Sequence, residues 1–198
     1  MSDPERLEKQ LAFLVEVDKL KHIFRQTLLI NGERHENDAE HSWHLALMAG
    51  LLVEYAAEPT LDLMRVMRMV IVHDLVEIDA GDTYCYDVEG NRDKAEREQR
   101  AAERIFGLLP PDQGKETRTL WDEFESQETP EAKYAAALDR LQPLLHNYYT
   151  GGRKWQEHGV RRPQVIERNR HIADGAPQLW EYARQLIDDA VARGMLEP

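Results

Sequence analysis

The chain has 198 residues, 37 of them Asp or Glu and 25 Lys or Arg, for a formal net charge of −12. That length fits one domain, expected over residues 1–198 with a core from about 7 to 190; a composition 42% hydrophobic and 31% charged excludes both disorder and membrane residence. The acidic balance lacks the basic footprint that duplex nucleic acid demands, and the single Cys85 excludes an internal disulfide and any CxxC pair. Apolar runs such as residues 45–53 fall far short of the ~20 residues that span a bilayer, and no apolar signal segment follows the polar N-terminus. A soluble, cytoplasmic protein is the expectation.

Glycine and proline fall between segments of helical periodicity, so an all-α, single-domain bundle is expected. A first helix opens at Pro4 and runs to about Phe24, with Leu7, Leu11, Leu14 and Val15 as its apolar stripe. Residues 31–37 read as a polar loop. Asp38 is placed as the N-cap of a helix from Ala39 to about Ala57 that turns Leu45, Met48, Leu52 and Tyr55 inward. Thr60 caps a third helix, in which Leu63, Val66, Met67, Val70 and Ile71 face the core and which Gly81 ends. Residues 83–88 are taken as a loop able to carry function. A charged helix follows from Asn91 to Phe106, with Ala95, Ala102, Ile105 and Phe106 inward, then a short one from Pro110-Pro111 towards Phe124. Thr129-Pro130 opens a long helix to Tyr149, interrupted by Pro143 and stopped by Gly151-Gly152. Helices from Pro163 to Ile172 and from Pro177 to Arg193 complete the chain.

Ionisable residues intrude into three of these apolar helices. His73-Asp74 lies within residues 69–76, where two charges are costly unless paired or bound to a metal. Glu77 comes four residues after His73 and three after Asp74, on their face of the helix, and Asp82 follows the Gly81 stop. His41 occupies the first turn of the second helix beside its apolar face, and Asp139 interrupts residues 134–141. Taken alone, His73-Asp74 is equally well read as a hydrogen-bonded core histidine beside an arginine-paired aspartate. Two imidazoles and two carboxylates from three helices, however, make a donor set for one divalent ion such as Mn, Co, Fe, Zn or Mg, with positions left for water and substrate.

With these residues in this order, the sequence resembles the HD-domain superfamily of metal-dependent phosphohydrolases, whose pattern is His, then His-Asp, then a distant Asp on a helical bundle. The closer resemblance is to its 5′-deoxynucleotidase (YfbR-like) group. Glu40-His41-Ser42 matches that group's first histidine, residues 73–82 match its extended HDxxE…GD segment, and residues 137–141 match its late aspartate. The resemblance spans roughly residues 7–190. It implies that His41, His73, Asp74 and Asp139 ligate the metal, that Glu77 and Asp82 are the catalytic carboxylates, and that Arg25 holds the substrate phosphate. The implied reaction is hydrolysis of (deoxy)nucleoside 5′-monophosphates to nucleoside and phosphate. Gln26-Thr27 replaces the tryptophan-proline pair of the family's well-studied members, so the tryptophan that would favour deoxyribose is missing. Relatives imply a homodimer, for which the Trp-bearing C-terminal helices offer surface.

Arg34 is read as a rival phosphate binder or a solvated loop charge, and His44 as a core histidine before a ligand. His35 is solvated or touches substrate; His22, His146, His158 and His171 lack partners at ligand spacing. Tyr84 and Tyr86 stack on a base or pack over the groove mouth, Trp155 and Trp180 are core or interface, and residues 93–100 form a solvated face. The partner is thus a small nucleotide, with no nucleic-acid polymer and no membrane. Two other functions share the pattern: hydrolysis of another phosphorylated nucleotide such as guanosine tetraphosphate, and a non-catalytic, metal-stabilised interaction module. Glu77 with Asp82 weighs against the module, which needs only the metal ligands.

Overall fold

In chain order the elements are α1 (Asp3–Val17), β1 (Phe24–Leu28), β2 (His35–Asn37), α2 (Asp38–Leu51), α3 (Leu63–Val72), α4 (Glu77–Ala80), α5 (Lys94–Phe106), α6 (Pro111–Ser126), α7 (Pro130–Tyr149), α8 (Arg153–Glu157), α9 (Arg162–Asn169), α10 (Ile172–Gly175) and α11 (Pro177–Ala192). The computed structural model describes residues 2–86, 89–90 and 92–198; the expected helix start at Asn91 and the Asp87-Val88 end of the expected loop lie outside the described residues.

The all-α expectation holds, and α7 is its axis. Thr129 caps this helix by accepting from Ala132 N–H, and Pro130 stands in the first turn, where no N–H is needed. Ala132, Tyr134, Ala135, Ala136, Ala137, Leu138, Leu141 and Leu144 are buried, and the alanines let neighbours approach closely. α2, α3, α6, α9, α10 and α11 all pack on α7. α10 comes close at Gly175, where an added Cβ would lie 2.2 Å from the Lys133 carbonyl oxygen, so no larger residue fits. A smaller apolar cluster joins Leu20, Leu75, Val76, Ala102, Ile105, Phe106 and Trp121 beneath the segment that follows α3.

Several local expectations are corrected. Residues 24–37 form an antiparallel hairpin, pairing Phe24 with Asn37 and Leu28 with His35. Between these pairs three residues of β1 face one of β2, a bulge-like irregularity, and β1 packs on α7. α1 ends at Val17 in a 3-10 turn over Asp18–His22, and its stripe of Leu7, Leu11, Leu14 and Val15 is exposed, because periodicity marks an apolar face without saying what covers it. Asn37, not Asp38, caps α2: its side chain accepts from Glu40 N–H, and the Glu40 carboxylate accepts from Asn37 N–H. α3 is capped by Asp62, not Thr60, and buries Met69 while exposing Ile71. Ala95 of α5 is exposed, and α6 extends through Ser126. Trp155 is in the core and Trp180 packs partly buried against it, so these tryptophans offer little free surface. No described helix is long and apolar enough to cross a membrane.

Candidate active site

Each functional side chain is delivered by a local irregularity. The hairpin carries Arg25 on β1 and Glu36 on β2, and capping at Asn37 turns the chain so that Asp38 and His41 enter the interior. After Val72 the helix tightens into a 3-10 turn over His73–Val76, which buries all four residues. This tighter winding separates adjacent side chains more widely than an α-helix does, letting His73 and Asp74 approach one point from two sides. α4 then places Glu77, and Gly81 at φ +75° turns the chain so that Asp82 reaches the same cleft. In α7, Pro143 has no N–H for the Asp139 carbonyl, loosening the helix at the level of the Asp139 side chain.

The hydrogen bonds fix which ring nitrogens are free. His73 Nδ1 lies 3.0 Å from the Val70 carbonyl, which only accepts, so Nδ1 carries the hydrogen and Nε2 a lone pair. That Nε2 has no hydrogen-bond partner among the described residues, although it lies 3.1 Å from Asp74 Oδ1 and 3.7 Å from Asp139 Oδ1. A longer chain sets His41. His146 Nδ1 donates to the Leu28 carbonyl at 2.9 Å, leaving His146 Nε2 to accept from Gln142 Nε2 at 3.1 Å. Gln142 Nε2 also donates to Glu36 Oε1 at 2.6 Å, which aims Gln142 Oε1 at His41 Nδ1, 3.2 Å away. His41 therefore donates from Nδ1 and presents Nε2 to Asp139 Oδ1 at 3.0 Å and to Asp74 Oδ2 at 4.0 Å.

His41, His73 and Asp139 each offer an atom within 4.8 Å of the others, as do Asp38, Asp74 and Glu77. A divalent ion fits this arrangement on structural grounds: an unpartnered His73 Nε2, a second imidazole held with Nε2 inward, and carboxylates that have more lone pairs than donors. Glu36, His44 and His146 also lie together, but Gln142 Nε2 fills their centre.

The electrostatics of the metal-free chain show what this crowding costs. Burial pushes the Asp38 carboxyl up to about 7, aided by Asp74, and holds Glu77 well above the carboxylate range, aided by Asp74 and Asp38. Burial also raises Asp82. Asp139 goes the other way: burial pulls it up, but the hydrogen bond with His41 and the nearby His73 imidazole outweigh that and hold it well below its usual value. His41 rises to about 9, because Asp139 and Glu36 prevail over burial and the repulsion of Arg25.

Arg25, expected at the phosphate, is inside this carboxylate cluster. Its Nη1 donates to Asp74 Oδ2 at 2.8 Å and to Asp38 Oδ1 at 3.2 Å, and it lines a cleft of about 270 Å³. His73, Asp74, Glu77, Asp82 and Asp139 line the same cleft, with Gln26, Thr27, Tyr84 and Tyr86 around it. The rival Arg34 is exposed and paired to Glu40 at 2.6 Å. The residues 93–100 helix face carries the expected pairs Arg97–Asp93 and Arg100–Glu96, but Glu98 is buried beside Lys94 at the cleft. Sequence reasoning missed Glu36, Asp38, Arg140, Gln142, His146 and Arg168. Gln142 and His146, three and seven residues after Asp139, share its helix face, and that spacing was the available signal.

The HD-domain family profile matches residues 17–180. A human protein named 5′-deoxynucleotidase HDDC2 is 34% identical over 136 residues, covering 68% of this chain and 65% of that protein, so the matched stretch is just under two thirds of the relative. The zebrafish (Danio rerio) protein of the same name is 30% identical over 189 residues, covering 85% of this chain and 92% of its own length. The solved structure of a protein described as a predicted metal-dependent phosphohydrolase, from Magnetospirillum magnetotacticum, superimposes with a TM-score of 0.95 at 55% identity, covering 100% of this chain and 99% of that one.

Proposed function

The chain belongs to the HD-domain family, and from that premise we propose that it is a metal-dependent phosphomonoesterase hydrolysing nucleoside 5′-monophosphates to nucleoside and inorganic phosphate. The observation that carries this reading is the convergence of His41 Nε2, His73 Nε2 and Asp139 Oδ1, with Asp74 Oδ2 4.0 Å from the first, at the cleft where Glu77 and Asp82 also lie. The names of the relatives support it.

His41, His73, Asp74 and Asp139 would hold one divalent ion. When bound, that ion withdraws charge from a phosphoryl oxygen and lowers the pKa of a coordinated water. Glu77 and Asp82 divide the proton transfers: one orients the attacking water and takes its proton, and the other supplies a proton to the departing 5′-oxygen as the phosphorus–oxygen bond breaks. Arg25 steadies Asp74 and offsets charge on the phosphoryl oxygens as the transition state develops it. Gln26 and Thr27 line the cleft without a bulky ring, so we propose that ribose and deoxyribose are both accepted.

The assembly proposed is a homodimer. Its surface is the apolar ridge of Trp43, Leu47 and Leu51 on α2 with Met64 and Ile71 on α3, all exposed. The functional test is phosphate release from a panel of ribo- and deoxyribonucleoside 5′-monophosphates with Mn, Co and Mg. Turnover of both sugar series is expected; no turnover of any nucleotide with any metal overturns the phosphomonoesterase reading.

A further inference from the structure

The cleft is lined by two groups of side chains of opposite character. Asp74, Glu77, Asp82 and Asp139 surround Arg25 in the first. The second comprises Arg140, which follows Asp139 on α7, and Arg168 on α9, together with Asn147. Both arginines are half-buried, and both act electrostatically on Cys85 and Tyr86. Among the described residues neither guanidinium has a hydrogen bond or an ion pair. The other cleft cations do: Arg25 is bound to Asp74, and Lys94 to Glu98.

Two half-buried guanidiniums lining one cleft without a counter-charge repel each other and give up solvation for nothing in return, so an anion between them is favoured. Planar forked donors suit phosphate oxygens. Asn147 Oδ1 is buried and has no donor, so a ligand with a hydroxyl or N–H would complete it. The two arginine sites differ in what they touch: Arg25 lies 2.8 Å from Asp74, 3.2 Å from Asp38 and 4.0 Å from Asp139, whereas among the described residues no carboxylate is within ion-pair distance of Arg140 or Arg168. A phosphate cleaved at the carboxylate cluster is therefore served by Arg25.

We infer that Arg140 and Arg168 form a second anion subsite, with Asn147 Oδ1 accepting from a hydroxyl or N–H of the same ligand, and that the substrate class is a nucleotide bearing a further phosphate away from the ester that is cleaved. This rests on the phosphomonoesterase reading and narrows it.

Equilibrium binding of adenosine 3′,5′-bisphosphate and adenosine 5′-monophosphate, measured calorimetrically with chelator present to prevent turnover, tests the subsite. The bisphosphate is expected to bind at least tenfold more tightly, with that advantage reduced below threefold in Arg168→Gln and in Arg140→Gln and largely kept in Arg168→Lys. With metal present, the kcat/KM ratio of the two nucleotides should follow the same order, chiefly through KM. Equal binding of the two nucleotides by the unsubstituted chain overturns the inference, as does an equal loss of affinity for both in Arg168→Gln, since the arginines would then hold the cleaved phosphate. Failure to release phosphate from either nucleotide would instead overturn the phosphomonoesterase reading while leaving the binding difference intact.

Discussion

Replacing Gln142 by leucine probes how the fold orients His41, a proposed metal ligand, from a distance. Gln142 is fully buried and makes bonds of 2.6 Å to Glu36, 3.1 Å to His146 and 3.2 Å to His41. Leucine of similar bulk keeps the packing but strands three polar groups, one of them a carboxylate. A buried bond to a charged group contributes about 1.5–3 kcal/mol and each neutral one about 1 kcal/mol, so a loss of ~3–5 kcal/mol is expected. At ~2–4 °C per kcal/mol for a chain of this size, the melting temperature falls by at least 6 °C. The metal affinity is the more telling readout. Without its acceptor, His41 is free to rotate or to change tautomer, and loss of such a partner weakens metal binding roughly 10–100-fold. Calorimetric titration with Mn²⁺ beside a thermal melt separates the two effects. A destabilised Gln142→Leu protein that still binds Mn²⁺ within threefold of the original would refute the idea that the chain from Leu28 through His146 and Gln142 sets His41.

Four further outcomes are expected. Asp38 and His41 both have folded pKa values above their ordinary ones, so the metal-free chain loses stability as pH rises through about 7 and about 9; melts from pH 6 to 9 should show the decline, and a divalent ion should reduce it. Because the His41 proton must leave, Mn²⁺ affinity should rise about tenfold per pH unit between 7 and 9 on account of His41 alone, with proton release visible in buffers of different ionisation enthalpy. Glu77→Gln should retain Mn²⁺ while kcat drops roughly 10²–10⁴-fold, the range of general acid–base catalysis; near-normal turnover would remove Glu77 from that role. Leu47→Glu, on the exposed α2 ridge, should yield monomers by sedimentation with the fold intact, and an unchanged oligomeric state would refute this face as the interface.

The parts of the site legible in the sequence were the charges that apolar helices would reject without a reason. His73, Asp74 and Asp139 stood out because each interrupts a run otherwise fit for a core, His41 because it sits in a first turn beside an apolar face, and the Gly81 stop at φ +75° could be read with Asp82 beyond it. Asp38 was illegible for a physical reason: aspartate before a helix ordinarily caps it, and only the hairpin placing Asn37 at that position sends Asp38 inward. The hairpin itself escaped because a strand as short as His35–Asn37 has no room to display alternation. The α1 stripe misled in the opposite sense, since amphipathic spacing is the same for a core face and for a free one. Gln142, His146 and Arg168 acquire meaning only through neighbours far along the chain, such as Glu36 and the Leu28 carbonyl, and no local pattern encodes that proximity.

The most direct test of the central claim is phosphate release by chelator-treated protein, with divalent ion returned stoichiometrically, in the original chain and in Asp139→Ala. The arrangement of His41, His73, Asp74 and Asp139 predicts no release after chelation, full recovery at one ion per chain, and neither ion binding nor recovery in Asp139→Ala. Turnover that survives chelation, or an Asp139→Ala protein as active as the original, would contradict it.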